Sequence, residues 1–124
     1  MPPTPESELL RALLPELESL AEQMVDETRS EIPSFAVVPR SEHLADTLAS
    51  IEWLSRYALD RATPAPDAER LATLGRRRAE QGIPVEDLLR AWRLSVRIGT
   101  ERARSLAEEL GLDAAVVILS LIHI

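Results

Sequence analysis

Two sets of arginines and three aromatic rings are the side chains of this sequence with chemistry to offer. Arg76, Arg77 and Arg78 are consecutive, while Arg90, Arg93, Arg97 and Arg104 recur at helical spacing. A guanidinium is a permanent cation with five N–H donors in a fixed fork, suited to carboxylates and phosphates. Positive charge is favourable at a helix C-terminus, which accounts for one or two of the three consecutive arginines. Three in a row point in different directions, so at least one needs another partner. The second set reads either as a solvated face laced by Glu86, Glu101 and Glu108, or as an interface or anion site turned toward another domain or subunit. Trp92 falls within an apolar helical stripe, so core packing is expected for it. The other reading makes it one wall of a ligand pocket with Arg93 or Arg78 at the mouth. Trp53 lies off the main stripe of its helix, partly exposed and open to a partner, with Tyr57 one turn on. The candidate interface or pocket residues are therefore Arg76, Arg77, Arg78, Trp92, Arg93 and Arg97.

Other chemistry finds little support. His43 is the one histidine outside the last few residues, and its i+4 neighbour is the neutral Thr47, so it is expected on the surface and not in a metal site. Cysteine is absent, which removes thiol nucleophiles, zinc thiolates and disulfides. No glycine-rich phosphate loop, nucleophile elbow or paired-histidine metal motif occurs. Carboxylates are plentiful, but Glu86–Arg90, Arg97–Glu101 and Arg104–Glu108 stand at i, i+4, the spacing of helix-surface ion pairs rather than of a catalytic dyad. No enzyme, cofactor or metal is expected.

The elements that must position these residues are helical nearly throughout. Leu10, Leu13, Leu17, Leu20 and Met24 recur at three and four. Thr4 and Pro5 suit a cap and first turn. Pro15 lacks an N–H for Arg11 and crowds its carbonyl, so a break is expected near Leu14, then a firm helix from about Glu16 to Glu31 that Pro33 ends. Residues 33–40 read as an extended connector whose Phe35, Val37 and Val38 plug the core. Ser41 is a candidate cap for the next helix, with Leu44, Leu48, Ile51, Leu54 and Ala58 as its stripe. Thr63 to Pro66 stops it, and Asp67 is the expected cap of a third helix through Leu71, Leu74 and Arg78 to Gln81. Gly82 suits the left-handed residue that ends a helix, Ile83 the apolar contact after it, and Pro84 the first turn of the next. That fourth helix runs to about Leu110, where Gly111 ends it. Its broad apolar face comprises Val85, Leu88, Leu89, Trp92, Val96, Gly99, Ala103, Leu106 and Leu110, with Ala91, Leu94 and Ile98 on a flank. Asp113 is a plausible cap of a further helix. The fold class is all-α: an antiparallel bundle of four to five helices with a long central C-terminal helix, its connections short as bundles require.

Composition sets the outer limits. The chain has 124 residues, one domain by length, and 45% hydrophobic residues, enough for one core. No apolar run approaches the roughly 20 residues of a membrane span, and the acidic, proline-rich start is unlike a signal peptide. A cytoplasmic location is the default expectation. A net charge of −7 argues against nucleic-acid binding by this segment. All the basic residues are arginine, which with the alanine and proline content reflects a GC-rich coding sequence and carries little functional weight.

The corner from Arg76 to Pro84 (RRRAEQGIP) followed by Leu88 to Arg93 (LLRAWR) resembles the N-terminal helical domain of PucR-type bacterial transcriptional regulators. That domain is similar to the N-terminal domain of RsbR-type stressosome co-antagonists. The likeness covers roughly Leu17 to Leu110, including the Glu31-Ile32-Pro33 connector. It implies a regulatory domain that senses a signal or oligomerises. In PucR-like proteins such a domain precedes a C-terminal helix-turn-helix, so DNA contact would belong to that half, and self-association or protein partners to this one. The alternative is an RsbR-like stressosome module acting through protein partners. The resemblance transfers no effector and no ligand contact.

Residues Leu119 to Ile124 match the translation of a transposase end used in sequencing libraries. They are expected to be an adapter-derived tail, which would make the chain an N-terminal fragment; the alternative is a genuine apolar helix end. The expected organisation is an N-terminal extension and short helix over 1–15, a helical regulatory domain over 16–118, and that tail over 119–124.

Overall fold

The computed structural model describes residues 3–60, 62–65 and 68–113, together with 115, 117 and 119. Among these the regular structure is entirely helical: α1 (Pro5–Leu13), a 3₁₀ turn (Leu14–Glu16), α2 (Leu17–Glu31), a second 3₁₀ turn (Pro33–Val37), α3 (Arg40–Leu59), α4 (Ala68–Glu80) and α5 (Val85–Glu109). The result is a helical bundle.

Local chemistry sets most boundaries. The Thr4 hydroxyl accepts from the Ser7 amide at 3.1 Å, and the Ser7 hydroxyl donates back to the Thr4 carbonyl at 2.9 Å; together they cap α1. At Pro15 the α-helix is interrupted, near Leu14 as expected, by the 3₁₀ turn between α1 and α2. At the end of α4 the Ile83 amide bonds the Arg78 carbonyl and the Gly82 amide bonds that of Ala79, with Gly82 at φ 91°. This is the Schellman arrangement. The same pair of bonds recurs beyond α5 through Leu112 and Gly111, the latter at φ 71°.

Two expected starts differ. The connector is not extended: Pro33–Val37 coils into a 3₁₀ turn, with Phe35 and Val38 buried and Val37 58% exposed. Pro at the first position and the Phe35 amide bonding the Ile32 carbonyl favour the coil. Ser41 does not cap α3; the cap position falls two residues earlier, on Pro39, with no side-chain cap bond, and the helix begins at Arg40. The proposed cap Asp67 and the link residue Pro66 lie outside the described residues. Of the tail, Leu119 is described, helical and exposed, and the rest lies outside them.

The helices form two layers. α1 and α2 pack against both α3 and α5. Leu9, Leu13, Leu17, Leu20, Ala21 and Met24 supply one side of the main core, and Ile51, Leu59, Leu94, Ile98 and Leu106 answer from the other. A second cluster gathers Ile32, Phe35 and Val38 of the turn against Ile83 and Ala91, so the apolar residue of the Schellman corner is what plugs it. Arg29 crosses below this turn and donates to the carbonyls of Phe35 at 3.1 Å and Val38 at 2.7 Å.

The most buried side of α5 is mostly not the broad face read from the sequence, of which Leu106 alone is fully buried. Ala91, Leu94, Ile98, Leu106 and Ala107 are buried, while Val85, Leu89 and Leu110 are exposed. The flank faces α1 and α2, and part of the broad face looks into a gap between α3 and α5.

Candidate functional site

That gap is an apolar cavity of about 350 Å³. Its floor is Leu13, Leu20 and Met24, its sides come from α3 and α5, and α4 roofs it with Leu71, Leu74 and Gly75. α4 buries only Arg78. An apolar cleft of this size, partly open to solvent beside Leu71 and Trp92, loses the dispersion contacts that close packing would supply, and a roof with one buried residue has little apolar grip.

Charge holds the roof instead. The buried Arg78, 3% exposed, donates through Nη2 to Asp46 at 2.6 Å, and through Nη1 to Gln81 at 3.0 Å and Glu42 at 3.5 Å. Arg77 adds Nε to Glu42 at 3.3 Å and Nη2 to Asp46 at 3.0 Å. Gln81 closes the loop on Glu42 at 3.2 Å. Glu42 and Asp46 stand at i, i+4 on α3, so one helical face presents both carboxylates to two neighbouring guanidiniums. Two cations meet two anions. A pair this enclosed is costly to break from one side, because the remaining charge loses its partner.

His43 lies between these carboxylates in sequence and is buried, only 6% exposed, contrary to the surface position expected. Its ring stacks on Phe35 at 5.0 Å between centroids and lines the cavity. Burial, then the nearby Arg78 and Arg29, hold its pKa down from 6.5 to about 4, with Asp46 opposing and Arg40 assisting. The imidazole is therefore neutral at pH 7. Its Nδ1 is enclosed without a hydrogen-bond partner. A bare acceptor is cheaper to bury than an orphaned N–H, so the single proton belongs on Nε2.

The sequence-derived candidates separate into two places. Arg78 and Trp92 both line the cavity, and Arg77 completes the clasp over it. Trp92 is 46% exposed, so it is not a core residue; it stands on the cavity wall with its outer side in solvent. Arg76 turns outward and donates to Thr73 at 3.2 Å. Arg93 and Arg97 are exposed on α5 and do not line the cavity, so Arg93 is not at its mouth. The expected pairs Glu86–Arg90, Arg97–Glu101 and Arg104–Glu108 do not form among the described residues. The arginine of α5 that bonds carboxylates is Arg102, to Glu16 at 2.6 and 2.9 Å and to Glu109 at 3.3 Å. The Arg102 hydrogen bonds hold the Glu16 carboxyl below its ordinary range and raise the guanidinium further. Trp53 and Tyr57 stack on each other at 5.0 Å.

Sequence reasoning missed Glu42, His43 and Asp46. Their signal was present: two acids one turn apart on α3 and an unexplained run of three arginines on the helix that follows. The stripe read on α3 named only its apolar residues, whereas Asp46, Thr47, Ser50 and Ser55 also border the cavity.

Among the described residues no group of three or more His, Asp or Glu side chains is placed to hold a metal ion, and no helix is long and apolar enough to cross a membrane. The sequence profile of the RsbT co-antagonist protein rsbRD N-terminal domain matches residues 18–122. No curated protein and no solved structure matches the chain.

Proposed function

This chain belongs to the family of rsbRD N-terminal domains, and from that premise we propose that it is the regulatory domain of a bacterial transcriptional regulator of the PucR type. In this reading it receives a signal or sets self-association, and a C-terminal helix-turn-helix in the parent protein contacts DNA. The supporting observation is the apolar cavity roofed by a helix held through charge. A bundle built only as a spacer gains nothing from an unfilled interior, whereas a chamber with a lightly packed roof can couple its contents to the position of α4. Among the described residues that line the cavity no hydroxyl is hydrogen-bonded to a histidine or a carboxylate, so the role proposed is binding and transmission and not catalysis.

A second reading is favoured by the matched family's own description as a co-antagonist domain. Here the same domain serves a stressosome-type module in the cytoplasm and its partners are proteins. The reading frame that carries the domain separates the two. A helix-turn-helix in frame supports the first, and a sulfate-transporter/anti-sigma-antagonist domain supports the second.

Regulation itself is tested in the parent protein with Ser95→Phe, which puts a ring into the cavity from α5. The reading expects an output that no longer responds to the signal while protein abundance is unchanged. An unaltered response overturns it. The isolated chain, at −7, is expected to bind DNA no more tightly than about 10⁻⁴ M at about 50 mM salt; salt-sensitive micromolar binding overturns the assignment of DNA contact to another domain.

A further inference from the structure

We infer that the cavity beneath α4 is a binding site for an uncharged, mostly apolar small molecule of about two fused rings, whose single hydrogen-bond-accepting head meets the Nε2–H of His43. The inference deepens the regulatory reading and rests on it for its biological meaning, but binding by this chain is measured without reference to any regulated output.

Size comes first. The cavity of about 350 Å³ is roughly twice the ~150 Å³ of an engineered apolar cavity that takes up benzene. Scaling by that ratio gives an occupant of about fourteen non-hydrogen atoms. The lining at α1, α2 and α5 is mostly Leu, Met, Val and Ala, with Trp92 on the wall and the hydroxyls of Thr28, Ser95 and Thr100 as its polar exceptions, so the body of the occupant is mostly apolar.

The polar end selects the head. His43 and Asp46 of α3 and Arg78 of α4 are its charged or titratable lining residues. Arg78 and Asp46 already neutralise each other at 2.6 Å, so an ionised head would enter apolar surroundings with a fixed carboxylate beside it and, among the described lining residues, no unpaired cation to receive it. His43 is different. It is 6% exposed, makes no hydrogen bond among the described residues, and has its Nδ1 sealed. With Nδ1 enclosed as the bare acceptor, the ring has a donor, Nε2–H, left to offer. A carbonyl oxygen satisfies that donor without adding charge, and no hydrogen on the head is needed.

Three probes that differ only in the head test this on the 124-residue chain: naphthalene, 2-acetylnaphthalene and 2-naphthoate, titrated by calorimetry at pH 7. The ketone is expected to bind about fivefold more tightly than naphthalene, the worth of one net hydrogen bond, and naphthoate no more tightly than naphthalene. Ser95→Phe should abolish binding of all three. His43→Phe, which keeps an aromatic ring against Phe35, should leave naphthalene unchanged and remove the advantage of the ketone. Should that variant fold poorly, the His43 Nε2 resonance of the wild-type chain serves instead: it should shift with the ketone and stay in place with naphthalene. Failure of every probe at its solubility limit, or binding indifferent to Ser95→Phe, overturns the site. Tightest binding by naphthoate overturns the uncharged head, and a ketone advantage that survives His43→Phe, or an unmoved Nε2 signal, overturns the role of His43. Any of these results leaves the regulatory reading to its own test in the parent protein.

Discussion

Lowering the pH should destabilise the fold through His43, and the size of the effect follows from where the ring sits. The unfolded chain takes up a proton on this side chain below about 6.5, while the native ring, buried beside Arg78, Arg29 and Arg40 with only Asp46 opposing, resists until about 4. Between those limits the unfolded state binds the extra proton. Stability from this group is therefore fully present above the unfolded value, declines as pH falls, and is gone below the folded one. At about 1.4 kcal/mol per pH unit the ceiling is roughly 3 kcal/mol. Because the ring borders a cavity that water can enter, about half of that is expected, so moving from pH 7 to pH 5 should cost ~1 kcal/mol. Urea unfolding of the wild type and His43→Phe at both pH values isolates the term, since carboxylates such as Glu16 contribute equally to both proteins. The wild type should lose about 1 kcal/mol more than the variant on acidification. Equal losses would show that the imidazole is not held neutral, and the tautomer assigned to it would fall with that result.

Gly82→Val should destabilise the chain by at least about 1 kcal/mol in denaturant melts: φ is 91° and no atom lies within 4 Å of an added Cβ, so backbone strain alone sets the cost. Trp92→Ala should cost only about 1–2 kcal/mol, less than the ~3–5 of a core tryptophan, because the residue is 46% exposed. Arg93→Ala and Arg97→Ala should each leave stability within about 0.5 kcal/mol; if sedimentation shows that they also leave self-association unchanged, the α5 arginine stripe is not an interface.

Features governed by neighbours in sequence were legible there. The Thr4 cap, the break at Pro15, the stop at Pro33 and the Gly82 corner each depend on backbone chemistry within four residues, and each is where the residue types place it. What depends on packing between helices was not. Helical periodicity shows that α5 has two apolar flanks, but not which one meets α1 and α2, because Val96, Gly99 and Ala103 can equally line a core or a cavity. The surface ion pairs expected on α5 fail for a similar reason: i, i+4 pairing is weak, and the arginine of α5 that does pair, Arg102, reaches Glu16, far away in sequence. His43 was misplaced because a lone histidine carries no periodic signal, and its burial is decided by Phe35 and Arg78, residues that only the folded chain brings beside it. Trp92 was read as core from its stripe, and the open roof at α4 is what exposes it.

Held over the apolar cavity by Arg77 and Arg78 on Glu42 and Asp46, α4 should open locally while the rest of the bundle stays folded. Amide hydrogen exchange along α2 and α4, in the wild type and in Asp46→Asn, tests it directly. Roof opening requires residues 68–80 to exchange by local opening, well before the core amides of α2 that await global unfolding. Asp46→Asn, which removes the charge facing Arg78 Nη2 at 2.6 Å, should speed α4 by about tenfold or more, as loss of a hydrogen bond to a charged group implies, and leave α2 nearly unchanged. Exchange of α4 as slow as that of α2, or equal acceleration of both helices in Asp46→Asn, would contradict the account.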